Sequence, residues 1–126
     1  MERYVDGFVI PVPTEKLDAY REMADEAGEL WIEHGALEYF EGMGDDMEPD
    51  MGGMQIRAFP QLAETGDDET VVFSFIVFES REHRDEVNAK VMEDSAMDPE
   101  QVAEDMPFDP KRMAYGGFRS IVSYEG

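Results

Sequence analysis

The 126-residue sequence predicts a single α+β domain, residues 1–126, whose elements follow one another in the order β-α-β-β-α-β. Short runs of β-branched and aromatic residues alternate with two stretches of helical periodicity. Prolines and glycines separate these segments, as is typical of turns. The order predicts the split βαβ, or ferredoxin-like, arrangement, in which a four-stranded antiparallel sheet carries two helices on one face.

The chain begins with a strand and a helix. Residues 3–12 are predicted to form the strand, which two prolines bring to an end. Thr14 is the predicted N-cap of the helix, which continues to about His34, before Gly35. One face of this helix is apolar at spacings of three and four residues and consists of Leu17, Tyr20, Ala24, Ala27 and Trp31.

The middle of the chain is less regular. Residues 36–43 are predicted to form a short strand, and residues 44–53, rich in acids and glycine, a loop. Within residues 55–69, the segment 56–59 can form a short edge strand, whose length Pro60 limits.

The second half of the chain supplies a strand, a helix and a final strand. Residues 70–78 are the strongest predicted strand, and Ser80 caps a helix over residues 81–94. Residues 98–109 form a connector, and residues 113–124 close the chain as a strand. The face of the second helix that meets the sheet consists of Val87, Val91 and His83.

The strand over residues 70–78 is apolar on both faces. One face carries Val71, Phe73, Phe75 and Val77, and the other carries Val72, Ile76 and Phe78. Two helices can cover only one face of the sheet, so we expect a second copy of the chain to cover the other. The sequence therefore predicts a homodimer whose sheets face each other, closing into a dimeric α/β barrel.

The composition is strongly acidic, with 31 Asp and Glu residues against 10 Lys and Arg and a formal net charge of −21. Only three of the basic residues are lysines, and the acids are spread along the whole chain. Because salt screens the self-repulsion of such a surface, this composition is typical of a high-salt cytoplasm. An ordinary acidic protein and a binder of cations or of basic proteins are the alternatives.

The same charge argues against nucleic acid and anionic membrane surfaces as partners, since both are polyanions. The longest apolar run, residues 71–78, falls well short of the ~20 residues of a membrane-spanning helix. A signal-peptide pattern is absent from the start of the sequence, and cysteine is absent from its composition, which excludes disulfides and thiolate chemistry. We therefore expect a cytoplasmic protein.

Four stretches of the sequence, covering about two-thirds of it, resemble a known family. They are Tyr4–Pro13, Leu17–Asp46, Asp68–Asp94 and Asp105–Val122. They are similar to the YbaA-like family of uncharacterised small bacterial proteins in the dimeric α/β-barrel superfamily. The resemblance implies the same fold and a homodimer, but it implies no active site. The chain departs from its relatives in the loops around residues 50–54 and 61–68, where relatives tend to carry lysine and this chain is acidic or neutral.

Two residues stand out as candidates for acid–base chemistry. Asp6 lies inside an apolar strand, where it is either a general base with a pKa raised by burial or a carboxylate paired with Arg112 or Arg119. His83 lies in the first turn of the second helix, where the helix dipole disfavours a charged ring. A neutral imidazole can act as a base, although a structural histidine is the more common case. His34, at a helix C-terminus, has a structural explanation.

The remaining candidates complete a pocket. Tyr115 and Arg112 join Asp6 and His83 as the polar groups of a catalytic site, and Trp31, Phe73 and Phe75 are candidate ligand-binding residues. The spacings of the histidines and acids match no metal motif, and the acids at 46, 48 and 50 fail the EF-hand pattern at later positions. We therefore expect neither a metal site nor a cofactor. The Gly116–Gly117 pair indicates a bulge or a close backbone approach.

Two functional classes remain open. The first is a non-catalytic homodimer that binds a small apolar molecule or has a structural, stress-associated role. The second is a cofactor-independent enzyme, monooxygenase- or isomerase-like, acting on a small apolar organic molecule, an interpretation that depends on analogy of fold. The sequence favours the first slightly, because it contains no recognisable acid–base pair.

Overall fold

A computed structural model describes residues 2–94 and 106–126. The strands are β1 (Tyr4–Pro13), β2 (Glu38–Met43), β3 (Glu69–Phe78) and β4 (Ala114–Arg119), and the helices are α1 (Leu17–Glu33), α2 (Phe59–Ala63) and α3 (Arg81–Glu93). Short 3-10 turns precede α1 at Thr14–Lys16 and β4 at Pro110–Arg112. Most of the predicted connector, from residue 98 to residue 105, lies outside the described residues.

The four strands form one antiparallel sheet in the order β2-β3-β1-β4. The two central strands, β1 and β3, pair along their whole length, from Tyr4 opposite Phe78 to Pro13 opposite Glu69. This is the ferredoxin-like order, so the predicted fold class is confirmed. No helix in residues 2–94 and 106–126 is long and apolar enough to cross a membrane.

The helix ends follow the predicted caps in two cases and differ in one. The Ser80 hydroxyl accepts the backbone N–H of His83 at 3.1 Å, and Gly35 follows α1 with a φ of 115°. Thr14 is not the N-cap of α1, because a 3-10 turn separates the two. Its hydroxyl donates instead to the backbone carbonyl of Asp68 at 3.0 Å, which ties the start of the helical segment to the start of β3.

The structure also resolves the middle segment and differs from two predicted strand boundaries. The middle segment forms α2 rather than an edge strand, and Pro60 fits its first turn because no N–H is needed there. β2 begins at Glu38, two residues later than predicted, because the N–H of Ala36 bonds the carbonyl of Trp31 at the end of α1. β4 ends well before residue 124, and Ile121 beyond it is 98% exposed.

Helices α1 and α3 cover one side of the sheet, which we call the inner face. Alternate residues of β1 and β3 point to it, and most of them are buried. Two apolar clusters form the core between this face and the helices. The first consists of Tyr4, Ala36, Ile76, Phe78, Val87 and Val91, and the second of Ile10, Val12, Tyr20, Ala24 and Val72.

The opposite side of the sheet, the outer face, is also apolar. Its side chains include Val9, Phe40, Phe73, Phe75, Val77 and Phe118. Phe40 and Phe75 stack with ring centroids 4.9 Å apart, yet Phe40 and Phe73 remain 46% and 44% exposed. Helix α2 reaches this face, where the rings of Phe59 and Phe73 pack with their centroids 6.1 Å apart. The prediction that both faces of β3 are apolar is therefore confirmed.

Candidate functional site

A cavity of about 690 Å³ lies between the inner face of the sheet and the two long helices, and we call it the inner cavity. Most of its wall is apolar, with contributions from Phe8, Ile76, Met23, Leu30, Trp31 and Met92. Two hydrogen-bonded groups of polar side chains interrupt that wall, and Ser74 and three glutamates also line it. The first surrounds Asp6 on β1, and the second surrounds Glu41 on β2.

Asp6 is one of the most deeply buried side chains of the described residues, with 2% of the residue exposed. The alternation of β1 points it to the inner face, where α3 supplies its partner. The Arg84 guanidinium donates to the Asp6 carboxylate at 2.7 Å, and the same nitrogen contacts the Tyr115 hydroxyl at 3.2 Å. Arg84 also lies over the ring of Tyr4, 5.0 Å from its centroid. We call Asp6, Arg84, Asn88 and Tyr115 the Asp6 cluster.

Burial raises the pKa of the Asp6 carboxyl above its ordinary value. The charge of Arg84 and hydrogen bonds from Arg84, Tyr115 and Asn88 act in the opposite direction, without cancelling the effect of burial. Burial also raises the pKa of the Tyr115 hydroxyl, and the Asp6 charge adds to that effect. The cluster therefore combines a charge-balanced ion pair with hydroxyl and amide groups, and it can orient a ligand through hydrogen bonds.

Asn88 connects the Asp6 cluster to the helix α1 wall of the cavity. Its side-chain carbonyl accepts the indole N–H of Trp31 at 3.0 Å. Trp31 in turn packs against Tyr39 of β2, with ring centroids 6.5 Å apart. The single tryptophan of the sequence is thus fixed in the wall between the two polar groups.

The second polar group consists of Glu41, Tyr20 and Tyr39, which we call the Glu41 cluster. The Tyr20 hydroxyl donates to one carboxylate oxygen of Glu41 at 2.7 Å, and the Tyr39 hydroxyl donates to the other at 2.6 Å. Burial and the neighbouring Glu41 carboxylate raise the pKa of both tyrosines, so both remain hydrogen-bond donors. The carboxylate is therefore held in one orientation from two sides.

The Glu41 cluster also borders a second opening. A groove of about 780 Å³, the outer groove, runs between α1 and the edge strand β2 and is lined by Leu17, Ala24, Gly28, Ile32 and Met43. Tyr20, Tyr39 and Glu41 line both this groove and the inner cavity. They therefore form the partition between the two spaces.

The structure brings together two of the four predicted catalytic residues, Asp6 and Tyr115. His83 is not among the described residues that line the cavity. Its Nδ1 instead accepts the backbone N–H of Glu79 at 3.0 Å, and its ring meets the Phe78 ring edge-on. Arg112 lies near the opposite end of the sheet from Asp6.

The expected partners of Asp6 are also different in the structure. Asp6 pairs with Arg84 of α3, and not with Arg112 or Arg119. Arg112 forms a two-nitrogen contact with the carboxylate of Glu69, at 2.6 and 2.9 Å. The reason is register: Asp6 lies opposite Gly117 in β4, and Arg112 precedes that position by five residues.

The three predicted ligand-binding aromatics lie on different sides of the sheet. Trp31 lines the inner cavity, whereas Phe73 and Phe75 point to the outer face, where their ring centroids are 6.0 Å apart. Phe73 and Phe75 therefore cannot meet the same ligand as Trp31 within one chain. They are available to a neighbour that covers the sheet.

Sequence reasoning missed Arg84 and Asn88, although a signal was present. With Val87 and Val91, these residues follow the spacing i, i+3, i+4 and i+7, which places all four on one face of α3. Arginine and asparagine on an otherwise apolar helical face indicate a buried polar partner. Asp6, in an apolar strand, was the available partner for them.

One group of potential metal ligands lies away from both cavity clusters. Side-chain ligand atoms of Glu33, His34 and Asp94 lie within 4.8 Å of one another at the ends of α1 and α3. His34 Nε2 already contacts Asp94 at 2.7 Å. This contact ties the two helix ends together and accounts for the position of His34 in structural terms, as the sequence suggested.

Comparisons with known proteins place the chain in a family and find a solved structure with a similar fold. The profile of a family described as "Protein of unknown function (DUF1428)" matches residues 3–110. The "Uncharacterized protein YbaA" of Escherichia coli K12 is 47% identical over 120 residues, covering 95% of this chain and 97% of that protein, and the YbaA protein of Shigella flexneri matches equally. A solved dimeric ferredoxin-like protein from an uncultured marine organism superposes with a TM-score of 0.58 at 9% identity, over the full length of both chains.

Proposed function

Because the chain belongs to the DUF1428 family of proteins of unknown function, its activity has to be inferred from its own cavity, and we propose that it is a homodimeric small-molecule-binding protein. The observation that carries the proposal is the inner cavity of about 690 Å³, an apolar chamber with the buried Asp6 cluster in its wall. Ligand sites in proteins commonly have volumes of roughly 300–1,000 Å³ and few polar groups in mostly apolar walls.

The state of the Asp6 cluster favours binding over catalysis. Its carboxylate is already paired with Arg84 at 2.7 Å, and His83 is engaged by the backbone. With the carboxylate paired, the Asp6 cluster presents fixed hydrogen-bonding groups that can orient a ligand. Before Asp6 could remove a proton from a substrate, its ion pair with Arg84 would have to open. The ligand expected on this basis is a small, largely apolar organic molecule.

A cofactor-independent enzyme, of the isomerase or monooxygenase type, is the second candidate. One observation favours it: burial raises the pKa of Asp6, and the Tyr115 hydroxyl shares the nitrogen that Asp6 contacts. A carboxylate with a raised pKa is a stronger proton acceptor than an ordinary carboxylate. The catalytic set is then Asp6 and Tyr115, with Arg84 rather than Arg112 beside them.

The proposed dimer follows from the outer face. Phe40, Phe73 and Phe118 are between 44% and 62% exposed there, and contiguous apolar surface of this kind is typical of protein interfaces. The solved neighbour described as dimeric supports the same assembly. Two outer faces packed against each other would form the dimeric α/β barrel, with the inner cavities on its outside.

We also propose that the protein is cytoplasmic and adapted to high salt. A net charge of −21 on 126 residues, with three lysines, supports this. On this proposal, charge screening is essentially complete at about 1 M potassium chloride, where the Debye length is about 3 Å. The melting temperature then continues to rise at higher concentrations of potassium chloride. A melting temperature that stops rising within the screening range contradicts the adaptation.

A ligand screen tests the proposed function. Trp31 lies in the cavity wall and is the only tryptophan, so its fluorescence reports occupancy directly. We expect small apolar molecules to change this fluorescence saturably and to raise the melting temperature. Trp31→Phe keeps an aromatic wall but removes the signal, and serves as its control. A broad screen in which no compound does either contradicts small-molecule binding.

A further inference from the structure

We propose that the inner cavity selects an organic cation, an amine with an apolar body, whose ammonium group sits against Glu41 between Tyr20 and Tyr39. The inference depends on the proposed small-molecule binding and adds the chemical class of the ligand. It concerns a different part of the cavity from the Asp6 cluster.

Glu41 differs from the many surface acids of this chain in its position. It lies on the inner side of β2, opposite Ser74 of β3, and is only partly exposed. Both of its carboxylate oxygens accept hydrogen bonds from tyrosine hydroxyls, at 2.7 and 2.6 Å. Since Tyr20 is only 4% exposed, the carboxylate is anchored to the protein core and cannot swing into solvent without breaking two hydrogen bonds.

Within residues 2–94 and 106–126, the charge of Glu41 has no counter-ion. None of the ion pairs among the described residues includes it, whereas the Asp6 carboxylate is balanced by Arg84. No lysine or arginine is among the described residues that line the inner cavity. Arg21 lines the outer groove but makes no ion pair with Glu41. In the described part of the chain, the only partners of this half-buried carboxylate are neutral hydrogen-bond donors. It therefore attracts a ligand cation more strongly than a carboxylate in water does.

The surrounding wall is aromatic, which also favours a cation. Tyr39 and Trp31 lie side by side with ring centroids 6.5 Å apart, and Tyr20 approaches Glu41 from α1. Aromatic faces attract ammonium groups, and the attraction is stronger where water is excluded. Three further acids, Glu26, Glu29 and Glu33, line the same cavity and add negative potential.

The two polar clusters define the length of the ligand. Asp6 and Glu41 are two strands apart, at about 4.8 Å per strand, and two residues apart along the strands, at about 3.3 Å per residue. Their backbones are therefore roughly 12 Å apart. The wall between them is mostly apolar, with Phe8 and Ile76 beside the buried hydroxyl of Ser74. A ligand that uses both ends therefore carries an ammonium group, an apolar body and a hydrogen-bonding group that the Asp6 cluster can meet.

Three probes of matched shape test the selectivity: phenylpropylammonium, phenylpropanol and phenylpropanoate, titrated against Trp31 fluorescence in the native chain. The titrations are carried out at about 1 M salt, where long-range attraction to the acidic surface is screened. We expect the ammonium probe to bind at least about tenfold more tightly than the alcohol, with the carboxylate weakest. An alcohol that binds as tightly as the ammonium probe overturns the inference and leaves the proposed function intact.

Two matched variants locate the effect. Glu41→Gln keeps the shape of the side chain and removes its charge, and we expect it to abolish the preference for the ammonium probe while alcohol binding stays within about threefold. Glu22→Gln removes the same charge from an exposed position that lines neither space, and should leave the preference unchanged. A preference that persists in Glu41→Gln, or that Glu22→Gln removes equally, overturns the inference.

The outcome does not depend on the folding of Glu41→Gln, because the probe comparison in the native chain stands by itself. If none of the three probes binds at millimolar concentration, the cation inference fails. The broad screen of apolar compounds then decides separately whether the cavity binds small molecules.

Discussion

The Asp6 carboxylate and the Arg84 guanidinium meet at 2.7 Å, although one residue lies in the first strand and the other in the second long helix. With side chains that are 3% and 13% exposed, the pair is shielded from water at the wall of the inner cavity. It therefore does two things at once. It balances a charge that an apolar strand would otherwise leave alone, and it fixes α3 against the sheet.

Removal of the arginine tests the structural part of this statement. We expect Arg84→Met to lower the free energy of unfolding by about 3–5 kcal/mol, because it leaves a buried carboxylate without its partner. Arg81→Met, on the exposed side of the same helix, should change it by less than about 0.5 kcal/mol. Urea unfolding monitored by Trp31 fluorescence measures both. Equal effects of the two substitutions would show that the ion pair is not a stabilising contact.

The contact between Arg112 and Glu69 predicts a pH dependence. The hydrogen bond from Arg112 holds the pKa of Glu69 below its usual value, so the pair stabilises the fold above the unfolded-state pKa of about 4.3 and stops doing so as the pH falls through the lowered value. Arg112→Met should therefore destabilise the protein at neutral pH, and the difference from the native chain should shrink as the pH falls below the ordinary glutamate range. Unfolding curves across that range measure it, and a difference that does not change with pH contradicts the sign.

Phe73 tests the dimer. In Phe73→Asp a charge is placed in the centre of the outer face, and we expect the mass measured by light scattering to fall from twice 14.3 kDa to 14.3 kDa. Ile121→Asp adds the same charge at a residue that is 98% exposed beyond β4, and should remain dimeric. A native chain of 14.3 kDa in high salt is the result that excludes the dimer.

Gly117 shows why a glycine is needed in β4. A Cβ atom at this position would overlap the hydroxyl and ring of Tyr4, which is buried beneath Arg84. We expect Gly117→Ala to destabilise the fold by about 1–3 kcal/mol, as overpacking does. Gly116→Ala is the matched control, because its Cβ would meet only Phe118, at 3.8 Å. Equal stabilities of the two variants in thermal unfolding would contradict the close approach.

The fold was predictable because it depends on periodicity within each segment. The alternation in residues 70–78 identified both faces of β3, and the spacing of Val87 and Val91 identified the buried face of α3. The boundaries that differ involve contacts between segments. Thr14 turned toward Asp68 of another segment, and such a contact leaves no periodic signal.

The candidate site was predictable only in part, for the same reason. Asp6 stood out because a carboxylate in an apolar strand needs a partner, but the identity of that partner depended on how α3 crosses the sheet. The Glu41 cluster joins α1 to β2 through Tyr20, and its residues look ordinary in sequence. The cavity itself is a property of side-chain volumes that face each other, which a single segment does not contain.

The central claim is that the inner cavity holds a small molecule, and the indole N–H of Trp31 reports on it most directly. As the only tryptophan, Trp31 gives one indole N–H signal in a proton–nitrogen NMR spectrum. This N–H donates a hydrogen bond to the side-chain carbonyl of Asn88 at the cavity wall. We predict that the strongest compound from the screen shifts this signal saturably at one equivalent per chain. A compound that raises the melting temperature while the Trp31 signal stays unchanged binds elsewhere, and contradicts the claim.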